Sequence, residues 1–412
     1  MLKLPLLIIL LLVLLALRFH SFYESHPTLK AGQKVSIEAT LGEEPELTNK
    51  GQSFSIKADT NQIIFIKSTT SPRFHYGQKL LISGQLEEKK IEKDRSLLLI
   101  YFPKVEIVRE PVDILTASSL QVRKRSKELF EGTLPPTSAS LMSGIVFGAK
   151  EHFSTDFKQS LRSTGVMHVI AASGMNVTFI AAALLYLLGA FLKRQIALLA
   201  AILGIIFYVF LVGFEPSIVR AAVMGVIAFS ASIFGRQNLA LFSLGLAGLA
   251  MLFWQPIFLQ DVGFQLSFLA TLGILFIPTV GQGAGLVKRL FSETVGTTFA
   301  AQIATLPILL GVFGSFGILS LLVNALVLWT VPILMTIGSL SVLIMFIFEP
   351  LAKLLLLLAL PFLLFFEAVV GFFGRLGWNF TMESFPWQMG AGYYLVLAAL
   401  VLGFRRHKDR HV

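Results

Sequence analysis

The 412-residue sequence contains no cysteine. That absence excludes disulfides, thiol nucleophiles, cysteine-ligated zinc and iron–sulfur clusters, each of which needs a sulfur atom. Charge is scarce as well: 14% of the residues are Asp, Glu, Lys or Arg, against the roughly 25% that keeps the surface of a soluble chain wet. The seven histidines, at positions 20, 26, 75, 152, 168, 407 and 411, form no HxH or HExxH pair. No Walker-type phosphate loop is present either, so neither a metal, another cofactor nor ATP hydrolysis is expected, and no nuclease motif occurs.

What the sequence has in excess is apolar: 55% of it is hydrophobic, with 37 Phe. Lipid is therefore expected to solvate most of the chain. The net charge of +10 invites a nucleic-acid reading, but its distribution weakens that reading. Residues 20–113 carry 13 basic and 13 acidic side chains, whereas residues 165–412 carry 12 and 7. Most of the excess thus lies beside apolar runs, where the positive-inside rule places it.

Five segments follow from these patterns. Residues 1–19, an apolar run between Lys3 and Arg18, read as a membrane anchor; a signal-peptide core looks similar, but no small-residue cleavage site follows. Residues 30–113 read as about five short strands split by turns, with alternation at Val35, Ile37 and Ala39 and again at Phe54, Ile56 and Ala58. That is the pattern of a small OB-like barrel. Residues 114–164 read as amphipathic interfacial helices with a basic cluster at Arg123, Lys124, Arg125 and Lys127, a solvated linker helix being the plainer alternative. Residues 165–404 hold nine further apolar runs, of which 318–348 is too long for one straight crossing and is expected to break at Pro332. Residues 405–412 form a basic tail.

The expected fold is a polytopic α-helical membrane protein of about ten spans with an N-terminal extracytoplasmic small β-barrel (OB-like) domain. If the tail is cytoplasmic, Lys353, Lys288, Arg289, Arg236, Lys193 and Arg194 fall on the same side. Only Arg375 is basic in the short loops opposite. The strand domain is then outside, in a multi-pass protein of the bacterial cytoplasmic membrane.

Polar and small residues interrupt the apolar runs in four clusters: Gly165–Asn176, Gly213–Arg220, Asp261–Ser267 and Gln302–Asn324. In the topology above all four converge on the outer half of the membrane. Arg220 lies about one turn inside its run, where a charge at the bilayer centre costs about 2.5–3.5 kcal/mol, and Glu215 and Asp261 are the nearest candidate partners. Gly174, beside Ser173, and Pro216 weaken helices locally, and Pro307 frees the carbonyl of Ile303. Such breaks survive where protein or water satisfies the backbone, which points to a cavity. Ser217, Ser267 and Thr305 also have a plainer reading as packing residues, and His168 as an ordinary interior histidine.

Taken together, the clusters resemble the competence domain of ComEC-type DNA-internalisation channels. The resemblance is carried by Phe157, Leu161, Gly165, His168, Ser173 and Gly174; by Gly213, Pro216, Ser217, Arg220, Ala221 and Met224; by Pro256, Asp261, Gly263, Phe264, Gln265, Ser267, Phe268 and Gly273; and by Gln302, Thr305, Pro307, Phe313, Gly314 and Asn324. Asn176 stands where many members have a second histidine. A C-terminal metallo-β-lactamase-like nuclease domain found in longer members has no counterpart here, so the chain is expected to be a short form.

The resemblance implies import of single-stranded DNA across the cytoplasmic membrane during natural transformation. The implied path is lined by His168, Ser173, Asn176, Ser217, Arg220, Asp261, Gln265, Ser267, Gln302, Thr305 and Asn324. Single-stranded DNA and the lipid bilayer are the expected partners, with a separate nuclease, a DNA receptor and a cytoplasmic motor as further candidates. Two other classes remain: a membrane enzyme using His168 as general base on a lipid or glycan, and a small-solute transporter. Ionisable pairs deep in the spans would favour the transporter, and only Arg220 and Glu367 are candidates.

Overall fold

The computed structural model describes residues 3–25, 29–41, 45–48, 51–58, 62–74, 77–92, 95–109, 114–148, 153–170, 174–237, 239–277, 286–317, 319–377, 379–382 and 385–409. Two units make up the chain: Met1–Lys124 with Val209–Gly213 and Leu246–Asp261, and Arg125–Tyr208 with Phe214–Gly245 and Val262–Val412.

In the first unit, helix α1 (Lys3–Ser25) precedes strands β1 (Lys34–Thr40), β2 (Glu46–Thr48), β3 (Gly51–Lys57), β4 (Ile63–Ser68), β5 (Lys79–Gln85), β6 (Glu87–Glu92), β7 (Arg95–Tyr101) and β8 (Lys104–Arg109). The strands form a three-stranded sheet, β1-β5-β8, and a five-stranded sheet, β2-β3-β4-β7-β6. All pairings are antiparallel except β4 with β7. The alternation read from the sequence has its expected result in β1, whose Ala39 is buried while Lys34, Ser36 and Glu38 are exposed. Both sheets feed one core: Leu80 and Ile82 from β5 meet Phe54, Ile56, Ile64, Ile66 and Ile100 from the larger sheet. The expected closed barrel is not seen among the described residues; two sheets share the core instead.

The remaining elements are α2 (Ile114–Glu131), α3 (Pro136–Phe147), α4 (Thr155–Ser163), α5 (Met167–Ile170), α6 (Gly174–Gly189), α7 (Arg194–Val212), α8 (Pro216–Ile233), α9 (Ala240–Trp254), α10 (Val262–Phe276), α11 (Leu286–Phe313), β9 (Ser315–Gly317), α12 (Ser320–Val327), α13 (Thr330–Ile344), α14 (Glu349–Leu376), β10 (Asn379–Thr381) and α15 (Trp387–Asp409). A short 3-10 turn, Pro256–Gln260, precedes α10.

Among the described residues three helices, α7, α8 and α14, are long and apolar enough to cross a membrane, and the bent pair α12 and α13 makes a fourth if it counts as one span. The expected ten crossings are not reached on length. At about 1.5 Å per residue, apolar helices such as α9 and α10, each of 15 residues, fall short of a hydrocarbon core about 30 Å thick. The break in 318–348 also differs from expectation. The two helices meet at Leu328 and Trp329 with a 46° bend. Pro332 instead sits in the first turn of α13, where its missing N–H has no intrahelical acceptor to lose.

Within the second unit, neighbouring helices pack in a closed circuit: α6 on α8, α8 on α10, α10 on α11, α11 on α12, α12 on α14, α14 on α13, and α13 back on α6. Small residues allow the closest approaches. A Cβ on Gly273 of α10 would come within 2.6 Å of the Ala300 carbonyl oxygen on α11, so glycine is required there.

Helix α3 is buried along most of its length, including Ser138, Leu141, Met142, Ile145 and Val146. Pro136 starts it at a position that needs no donor, and Gly148 ends it at φ 71°. Two of its last carbonyls are capped from other helices: Asn176 Nδ2 of α6 donates to Ile145 at 2.8 Å, and Tyr208 OH of α7 donates to Val146 at 3.0 Å.

Candidate functional site

Helix α8 begins after the extended residue Glu215, with Pro216 at its first position. Arg220 follows one turn in, about 6 Å along the axis. Its Nε donates to Ser267 Oγ of α10 at 2.6 Å. The guanidinium carbon lies 6.0 Å from the ring centre of Phe268, and Nη1 is 3.5 Å from the Met224 sulfur. The opposite wall is Gly174, the first residue of α6, where a Cβ would approach Arg220 Nη2 to 3.0 Å and the Ala221 Cβ to 3.1 Å. Three helices thus converge on one guanidinium.

No carboxylate of the second unit lies within ion-pair distance of Arg220 among the described residues. An arginine carries five N–H donors. Nε–H goes to Ser267 and one Nη1–H to the weak sulfur acceptor, so the other donors have no protein acceptor among the described residues. A guanidinium held on one edge by a hydroxyl and on one face by an aromatic ring presents its remaining fork to an oxyanion such as a phosphodiester.

The structure therefore brings together Gly174, Pro216, Ser217, Arg220 and Ser267. Ser217 contributes its carbonyl, 3.8 Å from where a Gly174 Cβ would stand. Gln265 lies on α10 half a turn before Ser267 and is half-buried. Asp261 belongs to the first unit, where its N–H donates to the Phe258 carbonyl at 3.0 Å and closes the turn before α10. Ser173 lies outside the described residues.

A second polar group forms where α11 meets α12. Gln302 Nε2 donates to Ser320 Oγ at 3.1 Å. One turn further along α12, Asn324 is 1% exposed and its Oδ1 has no hydrogen-bond partner. Thr305 is buried and bonds back to the Ala301 carbonyl at 2.8 Å. Gly165, at φ 70°, brings the chain against Ser320, whose Cβ is 2.7 Å from where a Gly165 Cβ would stand. His168 is exposed beside it, with Nδ1 3.0 Å from the Gly165 carbonyl oxygen. Asn176 belongs to neither group: it is 2% exposed and caps α3.

Sequence reasoning missed several polar residues that matter here. The Ile303 carbonyl, freed by Pro307, accepts from Tyr393 OH of α15 at 2.9 Å, and the next carbonyl, Ala304, accepts from Tyr394 OH at 3.0 Å. The available signal was two adjacent tyrosines in an apolar helix, since a buried phenol needs a partner. In the first unit, Arg18 of α1 donates to the Phe253 and Trp254 carbonyls at 3.1 and 3.3 Å, capping the end of α9. No cluster of three or more His, Asp or Glu able to hold a metal occurs among the described residues.

Long apolar helices, a closed circuit of packed neighbours and an arginine without a counter-charge among the described residues of its own unit define an α-helical membrane protein with a polar site inside the bundle. The chain belongs to the competence protein family, which matches residues 145–407. It is 29% identical over 210 residues to ComE operon protein 3 of Bacillus subtilis (strain 168), covering 50% of this chain and 26% of that protein. It is 26% identical over 311 residues to an uncharacterised protein of Aquifex aeolicus (strain VF5), covering 74% of this chain and 71% of that one. The chain thus spans about a quarter of the length of the first relative. No solved structure matches it.

Proposed function

We propose that this chain is a DNA-uptake component, a membrane conduit through which single-stranded DNA enters the cell across the cytoplasmic membrane. Family membership supports a competence role, and the observation that carries the conduit reading is Arg220. A polyanion needs a path lined by hydrogen-bond donors with few fixed cations, so that strands pass without sticking. One guanidinium with unused donors, set among Ser217, Ser267 and Gly174, meets that description. The group of Gln302, Ser320 and Asn324, with His168 of α5 nearby, is a second polar lining, and its first three residues belong to the same circuit of helices.

The finer architecture belongs to the same proposal. The five shorter apolar helices, α6, α9, α10, the apolar part of α11 and α15, join the long ones and α1 to make about ten crossings. A short helix spans where the bilayer thins or where its broken end lines a cavity. In the β-domain, β5 and β6 are separated by Leu86 alone, and β1 and β2 by five residues. Reading each pair as one bent strand, and β7 with β8 likewise, joins the two sheets in the strand order of an OB-like barrel with one parallel pair. Residues 1–19 would then anchor the chain, 30–113 form the outer domain, 114–164 lie at the interface, 165–404 form the conduit and 405–412 a cytoplasmic tail. A separate nuclease, a DNA receptor and a cytoplasmic motor would complete the machine.

The test is DNA uptake in a strain of the source organism lacking this protein, complemented with Arg220 variants. R220Q should express and remain monodisperse in detergent while uptake falls at least tenfold. R220K, which keeps the charge without the planar fork, should retain part of the activity. A stable R220Q protein with undiminished uptake rules out the pore-lining role.

A further inference from the structure

Glu367 is the other deep ionisable residue, and the conduit does not use it. It lies nine residues, about 13 Å, before the end of α14, the longest candidate span. It borders the buried stripe of that helix, between Leu363, Phe366 and Val370. Among the described residues its hydrogen-bond partner is a hydroxyl: Ser138 Oγ donates to Oε1 at 2.5 Å. Ser138 is fully buried and sits in the first turn of α3, whose opening residues Pro135 and Pro136 have no N–H. That turn presents the positive end of a helix dipole to the carboxylate.

Among the described residues the surroundings contain no compensating charge. The elements packed on α14 are α3, α4, α12 and α13. Of these, α3, α12 and α13 contain no titratable residue. Helix α4 contributes Asp156, Lys158 and Arg162, but it meets α14 at Gly374, where a Cβ would lie 2.5 Å from Ser160 Cβ, two turns beyond Glu367. On α14 itself, Glu349 pairs with Lys353 at 2.6 Å in the first turns, and Arg375 lies in the last turn. No cation is within ion-pair distance of Glu367 among the described residues.

A lone carboxylate inside a span has two tolerable states. As the neutral acid it needs no counter-charge. As the anion it is held by the Ser138 hydroxyl and the start of α3. We propose that Glu367, held by Ser138, is an intramembrane proton-binding site that gains and loses a proton while the protein is folded in the bilayer. On protonation one carboxylate oxygen takes a proton from water and becomes a donor. The Ser138 hydroxyl can still donate to the acid's carbonyl oxygen, but a charge-assisted bond becomes a weaker neutral one and the new O–H needs an acceptor, so the α3–α14 contact differs between the two states. The site stands whether or not the chain conducts DNA.

The experiment is infrared spectroscopy of the full-length protein reconstituted in liposomes, titrated over pH in H2O and D2O. The wild type should show a protonated-carboxyl stretching band that grows as pH falls and shifts in D2O. E367Q should lose that band, E367D should keep a displaced one, and S138A should move the midpoint of its titration. Wild-type and E367Q spectra that coincide at every pH would overturn the proposal, as would a Glu367 band that never titrates. If E367Q fails to fold, E367D and S138A decide the matter, because a residue that serves packing alone gives neither a displaced band nor a moved midpoint.

Discussion

At Gly174 the difference between a hydrogen and a methyl group decides where a guanidinium sits. A Cβ there would stand 3.0 Å from Arg220 Nη2 and 3.1 Å from Ala221 Cβ, so one of them must shift. G174A is therefore expected to displace Arg220 from Ser267 and reduce DNA uptake severalfold, with detergent stability close to wild type. Unchanged uptake in that variant would show that the guanidinium has room to adapt. Asn176 predicts the opposite pattern. Its amide reaches the buried Ile145 carbonyl, so N176A leaves a helix-end acceptor unpaired and should lower stability by about 1–3 kcal/mol. Thermal unfolding in detergent measures that loss. Both residues stood in one sequence cluster, and nothing in their spacing separated the wall of the arginine site from the cap of a buried helix.

At the scale of elements, helix α11 is held by a proline and a phenol acting as one unit. Pro307 removes the N–H that would bond the Ile303 carbonyl, and Tyr393 supplies a hydroxyl in its place. Y393F should destabilise the protein by about 1–3 kcal/mol, the usual cost of an unpaired buried acceptor. In a P307A background the restored N–H can serve the carbonyl, and the same substitution should cost much less. A double-mutant cycle read by thermal unfolding gives the coupling, and additive effects would show that the phenol does not serve the carbonyl that the proline frees. The freed carbonyl was legible from the sequence because the i−4 rule is local. Its partner was not, because Tyr393 arrives from a helix 90 residues further on.

The whole molecule divides its chemistry between a β-domain and a helical bundle. Among the aromatics of the strands, Phe54 is core at 7% exposure, whereas Phe65 and Tyr101 are 37% and 38% exposed on neighbouring strands, where they could stack bases. Lys67 lies 5.7 Å over the Tyr101 ring. With 13 basic and 13 acidic residues in 20–113, electrostatic grip is small. A fragment of residues 30–113 should therefore fold and bind single-stranded DNA more weakly than micromolar at physiological salt. Tighter binding by titration, lost on F65A with Y101A, would move recognition from the bundle to this domain. For orientation, the cysteine-free background makes single-cysteine labelling clean. Positions 217 and 265 should react with a small impermeant thiol reagent from outside, and 194 and 289 should not. The reverse pattern inverts the topology.

Composition alone determined that lipid is the solvent, because 14% charged residues cannot cover a soluble surface. Local pattern determined that strands precede helices and which residues interrupt the apolar runs, since alternation and breaks are read over a few positions. Which of those residues meet was decided by tertiary structure. Arg220 found Ser267 on another helix, Asn176 found Ile145, and Glu367 found Ser138 across 229 positions of sequence. Span count and barrel closure also depended on the fold, because the bend at Leu328 and Trp329 and the division of the strands into two sheets arise from packing between distant segments. A polar side chain in an apolar run announces that it needs a partner. Only the packed chain decides whether that partner is a neighbouring helix, a backbone carbonyl, or something that the protein must bind.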